Sequence, residues 1–179
     1  MQLPVLYTSR LRLDELTLAD ADDVTRMASS FAIARMTVAV PHPYPVGAAA
    51  AWISTHPVLR ERGSDLVWAI RHPQRLVGVM GLHRMVAGHQ AEIGYWLGEA
   101  HHGLGIATEA LQAVCRWALG DGGLIRITGR HRAANPASGQ VMRKAGFRHE
   151  DTLRCAHLHF GELDDTVLYG LLRDDPVAT

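Results

Sequence analysis

The sequence is poor in the features that would tie it to a membrane, a disulfide framework or a nucleic acid. No apolar run reaches the ~18 residues that a spanning helix needs, and the N-terminus lacks the charged-then-apolar order of a signal peptide. Only two cysteines occur, Cys115 and Cys155, and they lack CxxC spacing. A disulfide scaffold is therefore not expected, and a reducing cytoplasm is the expected setting. Charge of one sign is missing too: eighteen Lys plus Arg balance eighteen Asp plus Glu, leaving no broad field to steer nucleic acid. Internal repeats and low-complexity tracts are also absent. What remains is an ordinary globular composition, 47% hydrophobic and 20% charged, in 179 residues, which fits a single domain spanning residues 1–179.

Local patterns divide the chain. Alternation from Leu6 to Leu13 predicts a first strand, and Thr17 with Asp20, Asp22 and Asp23 predicts a helix start. Pro41-His42-Pro43-Tyr44-Pro45 is a loop, because three prolines remove three donors. An Ala-rich helix is expected over Gly47–Leu59, stopping near His56-Pro57 or Arg62-Gly63. Three strands then form a meander at Leu66–Arg71, Leu76–Arg84 and Ala91–Leu97. A helix over Thr108–Leu119, with apolar Leu111, Val114, Cys115 and Ala118, ends at Gly120-Asp121-Gly122-Gly123. A strand at Leu124–Thr128, a helix at Pro136–Ala145 opened by Asn135, and two strands around Gly161 complete the chain. Trp52, Trp68, Trp96 and Trp117 read as core.

The informative segment joins a strand to a helix: Tyr95-Trp96-Leu97-Gly98-Glu99-Ala100-His101-His102-Gly103-Leu104-Gly105-Ile106-Ala107-Thr108. Gly103 and Gly105 remove side chains where backbone N–H groups of a helix N-terminus would otherwise be screened, which suits phosphate oxygens. A plain chain reversal with an empty helix start is the competing reading. A dinucleotide fold is disfavoured because Thr128-Gly129-Arg130 offers no acid to close the next strand, and a P-loop lacks its Gly-Lys-Ser/Thr end.

His102-Gly103-Leu104-Gly105-Ile106-Ala107 resembles the (Q/R)xxGx(G/A) signature of the GNAT superfamily, with His102 where Gln or Arg is usual. The longer IGYWL…GLGIATEAL string resembles the ribosomal-protein-alanine N-acetyltransferase (Rim-like) branch. Asn135-Pro136-Ala137-Ser138, followed by Val141 and Lys144-Ala145-Gly146-Phe147, is similar to that branch's NxxSxxVxxKxGF stretch. Thr8-Ser9-Arg10-Leu11-Arg12-Leu13 and Asp165-Thr166-Val167-Leu168-Tyr169 resemble its first and last strands, so the likeness spans nearly the whole chain. It implies an α/β fold of the α+β type, with a mixed, mostly antiparallel sheet of about seven strands flanked by about four helices.

The resemblance also implies a chemistry. Acetyl-coenzyme A would be the co-substrate, bound by the backbone of Trp96 and Leu97 and by His102, Gly103, Leu104, Gly105, Ile106, Ala107 and Thr108, with Asn135 on its amide arm. Ser138 would protonate the leaving sulfur, and the alternative for both Asn135 and Ser138 is helix capping. Glu92 is the candidate base because it interrupts an apolar strand beside the thioester; Glu99 and His101 come next, and an outward surface role for Glu92 stays open. An α-amine is roughly a tenth neutral at pH 7 and a lysine about 0.04%, so a protein N-terminus is the favoured acceptor over a small-molecule amine. A non-catalytic acyl-coenzyme A-binding domain is the remaining alternative, and a homodimer stays open. Cys155, His157 and His159 read as a polar strand face and no metal is expected. His42 and Tyr44 of the proline loop are expected to overhang the acceptor.

Overall fold

The computed structural model describes residues 2–177. The expected first strand is broken in two, β1 (Leu6–Tyr7) and β2 (Arg12–Glu15). Between them the chain turns back at Thr8, whose amide binds the Leu11 carbonyl at 3.0 Å while its hydroxyl receives the Leu11 amide at 2.9 Å. Thr17 and Asp20 then start α1 (Ala21–Ala28) through a single 3-10 turn, as the side-chain oxygen of Asp20 accepts the Thr17 amide at 2.9 Å. A six-residue helix that periodicity did not disclose, α2 (Phe31–Met36), is capped by Ser30, whose hydroxyl accepts from Ala32 N at 3.1 Å. Helix α3 (Ala48–Glu61) passes through Pro57 and ends at the second of its two expected stops.

The meander is β3 (Leu66–Arg71), β4 (Leu76–Val86) and β5 (Gln90–Leu97). After it come α4 (Ile106–Leu119), β6 (Arg126–Arg132), α5 (Pro136–Lys144), β7 (Arg148–His159) and β8 (Glu162–Leu172). One sheet takes all the strands in the order β1-β2-β3-β4-β5-β6-β8-β7, antiparallel except for β5 against β6. The described residues thus form eight strands and five α-helices, one more of each than expected, from the split first strand and the short α2.

Helices cover both faces of the central strands, which is why β3 is buried along nearly its full length. On one face α4 and α5 pack Leu111, Val114 and Met142 against Met80, Leu82, Ile93 and Ile127. On the other, α1 and α3 bring Val24, Met27 and Ile53 to Ala69, Val79 and Trp96. All four tryptophans pack with these clusters, and the indole N–H of Trp68 donates to Pro4 O at 2.8 Å. Arg71 ties the second layer together, with Nε on Asp14 at 2.7 Å and Nη1 and Nη2 on Asp20 at 2.8 and 3.0 Å. Burial alone would raise the Asp20 carboxyl, but Arg71 and the Thr17 amide overcome it and hold that group below its ordinary value.

His56 on α3 is buried, 8% exposed, with its ring edge-on to Trp52 and no hydrogen-bond partner on either ring nitrogen. Burial, with His83 nearby, lowers it from 6.5 to about 4. The unfolded chain therefore binds a proton between these values that the folded chain does not. The stability this imidazole contributes is complete above pH 6.5 and is lost as pH falls toward 4, by at most about 3 kcal/mol. Urea unfolding of His56→Leu should accordingly show a shallower loss of stability from pH 7 to 4.5 than the parent; an unchanged slope would place the acid sensitivity elsewhere.

Candidate active site

The parallel pairing of β5 with β6 covers three residues only, Gln90, Ala91 and Glu92 against Arg126, Ile127 and Thr128. Beyond Glu92 the strands part, β5 continuing beside β4 to Leu97 and β6 beside β8 to Arg132. Backbone groups alternate sides along a strand, and two bonds fix the phase: Gly98 N reaches Val77 O at 2.9 Å on the β4 side, while Ala91 O takes the Thr128 hydroxyl at 3.3 Å on the β6 side. Ile93, Tyr95 and Leu97 therefore turn their amides and carbonyls to the open edge. Of the two residues expected to do so, Leu97 fits; the backbone of Trp96 faces β4, paired with Val79, and its side chain packs on the α1–α3 face.

At the end of this edge the chain makes the glycine turn. Gly103 and Gly105 sit at φ of 75° and 76°, left-handed values that favour glycine, and Gly105 precedes α4 without any side-chain cap. The first-turn amides of Ile106, Ala107 and Thr108 are thus left for an external anion, helped by the helix dipole. His102 is exposed, and its Nε2 donates to Leu97 O at 3.0 Å, bridging the turn to the end of β5. Arg10, which the sequence reading noted only as part of a strand, lies over the turn. Its Nη1 donates to Leu104 O at 3.1 Å and its Nη2 pairs with Glu109 at 2.6 Å. Burial would raise the Glu109 carboxyl, but the Thr8 hydroxyl and Arg10 outweigh it and keep it below the ordinary value. An Arg10–Glu109 ion pair therefore stands beside the place where an anion would rest, with the guanidinium also on Leu104 O.

Helix α5 points its N-terminus at the opening. Asn135 caps it, its Oδ1 accepting from Ser138 N at 3.3 Å, and its Nδ2 donates to Met36 O at 3.4 Å. The amide that the resemblance assigns to the cofactor arm is thus engaged within the protein at both ends. Ser138 stands one turn in, its Oγ 2.9 Å from the phenol oxygen of Tyr95, which also lies 3.1 Å from Ser138 O. Tyr95 was missed as a site residue. Burial pushes its phenol well above the ordinary range, so it stays protonated and available as a donor.

Glu92 lies on the opposite face from Ser138 and Tyr95, at the point where the strands divide, with its oxygens paired to Arg130 Nε and Arg84 Nη1 at 2.8 Å each. On this face α2, the proline loop and the β7–β8 hairpin meet one another. Phe31 contacts both His42 and Phe160, with ring centres 5.0 and 5.4 Å apart. Tyr44 packs against the α1–α3 cluster instead, and burial raises its phenol. An irregularity between Leu153 and His157 breaks the expected alternation of Cys155, His157 and His159, and Cys155 N is held by Asp165 at 2.8 Å. Glu99 hydrogen-bonds Ser30, and His101 borders a surface hollow with Arg26 and Met27; both lie beyond the end of β5.

Residues 10–148 match the model of the acetyltransferase (GNAT) domain. The ribosomal-protein-serine acetyltransferase of Escherichia coli is 36% identical over 118 residues, 65% of this chain and 66% of that protein. The [ribosomal protein uS5]-alanine N-acetyltransferase of the same organism is 28% identical over 141 residues, 75% of this chain and 71% of its own length. Among solved structures, the ribosomal L7/L12 alpha-N-protein acetyltransferase RimL in complex with coenzyme A superposes with a TM-score of 0.87 at 20% identity, covering 94% of this chain and 98% of that one. Because the family match takes in the glycine turn, the open edge and α5 alike, the chain belongs to the GNAT acetyltransferase family, the acetyl-CoA-dependent N-acetyltransferases.

Proposed function

We propose that the protein acetylates the N-terminal α-amine of a protein or peptide, with acetyl-CoA as co-substrate lying along the open edge of β5. The observation that carries this reading is the alignment of that edge with an uncapped helix start: Leu97 and Tyr95 offer backbone groups in line with the free amides of Ile106, Ala107 and Thr108. An extended arm bearing amides fits the first, and a diphosphate fits the second. Arg10, paired with Glu109, holds the turn through Leu104 O, and His102 braces it through Leu97 O. The names of the relatives, which act on ribosomal proteins, support a protein acceptor and a cytoplasmic setting.

The residues divide the work by face. A backbone amide of the open edge near Leu97 is the donor for the thioester carbonyl, where negative charge develops as the amine attacks. Ser138 hands its proton to the departing sulfur, and Tyr95, kept protonated by burial, holds the serine oxygen in place. The acceptor enters on the other face, between α2, the proline loop and the β7–β8 hairpin, where Glu92 and its two arginines mark the inner end.

With a peptide carrying both a free α-amine and a lysine, mass spectrometry should find the acetyl group on the α-amine; transfer to lysine or polyamines alone would replace this acceptor by another. Gly105→Asp sets a carboxylate against the phosphates and strains a left-handed position, so calorimetry should show acetyl-CoA affinity falling by about 100-fold or more. Ser138→Ala should keep acetyl-CoA binding while kcat falls on the order of 100-fold, seen as slowed thiol release. Full kcat in that variant would return Ser138 to a purely structural role in α5.

A further inference from the structure

Two glycines face each other across the sheet without a conformational reason. Gly81 on β4 is paired with Gly94 on β5, and neither has a positive φ. Glycine inside a strand costs about 0.5–1 kcal/mol relative to alanine, so a facing pair marks a close approach. What approaches is His83. A Cβ at Gly81 would stand 2.7 Å from its Nε2, and one at Gly94 3.2 Å away. The imidazole thus lies across β4 onto β5, over the strand whose other edge is open from Ile93 onward. Its face of the sheet is the one that carries Glu92, its cross-strand neighbour.

The contact with Asp65 selects one tautomer of the neutral ring. Nδ1 lies 2.7 Å from Asp65 Oδ1, and an ionised carboxylate only accepts, so in the neutral imidazole Nδ1 carries the hydrogen and Nε2 the lone pair. The side chain is 39% exposed, which leaves it within reach of a substrate. Glu92, by contrast, has a guanidinium on each oxygen.

We infer that His83, oriented by Asp65, is the group that takes the proton from the acceptor ammonium; this rests on the acetyl transfer proposed above. Nε2 accepts one proton from R–NH3+, and the neutral amine forms its C–N bond to the thioester carbon as the C–S bond breaks. The second amine proton replaces the one Ser138 gives to sulfur, and Nε2 releases its proton to solvent, so the products are amide, thiol and H+. The charged groups around the imidazole are Asp65 before β3, Glu92 on β5, and Arg84 and Arg130, which pair with Glu92. From α3 come His56 and Arg60, with Glu15 paired to Arg60.

The test is the pH profile of kcat/KM on a peptide α-amine for the parent, His83→Gln and Asp65→Asn, with acetyl-CoA affinity measured by calorimetry on each. In His83→Gln, acetyl-CoA binding should stay within about two-fold while kcat/KM at pH 7 falls about 100-fold. The deficit should close above about pH 8.5, where an α-amine is already neutral. Asp65→Asn should lie between the two, since it removes the orienting acceptor. A His83→Gln enzyme with the parent's profile, or with a loss equal at every pH, overturns the inference and leaves acetyl transfer standing. A parent that releases no thiol with any peptide overturns both.

Discussion

Three parallel residue pairs join the two halves of the sheet, and everything the site does depends on the ladder stopping there. Past Glu92, β5 keeps its bonds to β4 and β6 keeps its bonds to β8, so each strand remains paired on one side and open on the other. Unpaired strand edges are normally liabilities, because their amides and carbonyls seek a partner. Here the edge is inside the molecule, between α5 on one face and the α1–α3 layer on the other. An extended molecule with alternating donors and acceptors would complete the sheet at that point.

A gap of this kind would let the halves swing apart unless they were tied elsewhere, and α2 supplies the tie. Its last three carbonyls each meet a donor from the far half: Ala34 O from His159 Nε2 at 2.9 Å, Arg35 O from Arg132 Nη1 at 2.7 Å, and Met36 O from Asn135 Nδ2 at 3.4 Å. A short helix has carbonyls to spare at its C-terminus, and a cation there is favoured by the dipole. Arg132 is 4% exposed and is also bound to Asp164 at 3.2 Å, so the tie is partly buried. Asn135 serves it twice over, capping α5 with one end of its amide and holding α2 with the other. The same contacts keep the gap between β5 and β6 at its width.

Most of the fold is legible in the sequence because its signals are local. The meander follows from alternation broken by His72-Pro73 and Ala87-Gly88, and α4 from its apolar stripe and the glycines at both ends. The failures come where a distant partner decides. Thr8 turns the first strand back because Glu109, 101 residues away, receives its hydroxyl. Helix α2 has too few residues to show a period and is fixed by Ser30 and by the far half of the sheet. In the site, the glycine turn and Ser138 are readable as motifs, while Arg10, Tyr95 and His83 are not. Each acquires its place through a contact of long sequence separation, with Leu104, Ser138 and Asp65 respectively. For His83 one signal was present in retrospect, two glycines at positions where a strand prefers side chains.

The parity of β5 finally explains why one short strand can serve both directions of proton transfer. Its side chains alternate, so Ile93, Tyr95 and Leu97 face α4 and α5, whereas Glu92, Gly94 and Trp96 face the α1–α3 layer. The hydroxyl that steadies Ser138 comes from the odd set, and the open surface that admits an imidazole from β4 comes from the even set. A thioester lying in the gap between β5 and β6 would then have a proton donor on one side and the incoming amine on the other. Shifting β5 by one residue would exchange the two sets and put a phenol where the amine must enter. On the proposed roles register would be a catalytic requirement as well as a packing one, and the buried odd face, with Ala91 and Ile93 in the core, is what enforces it.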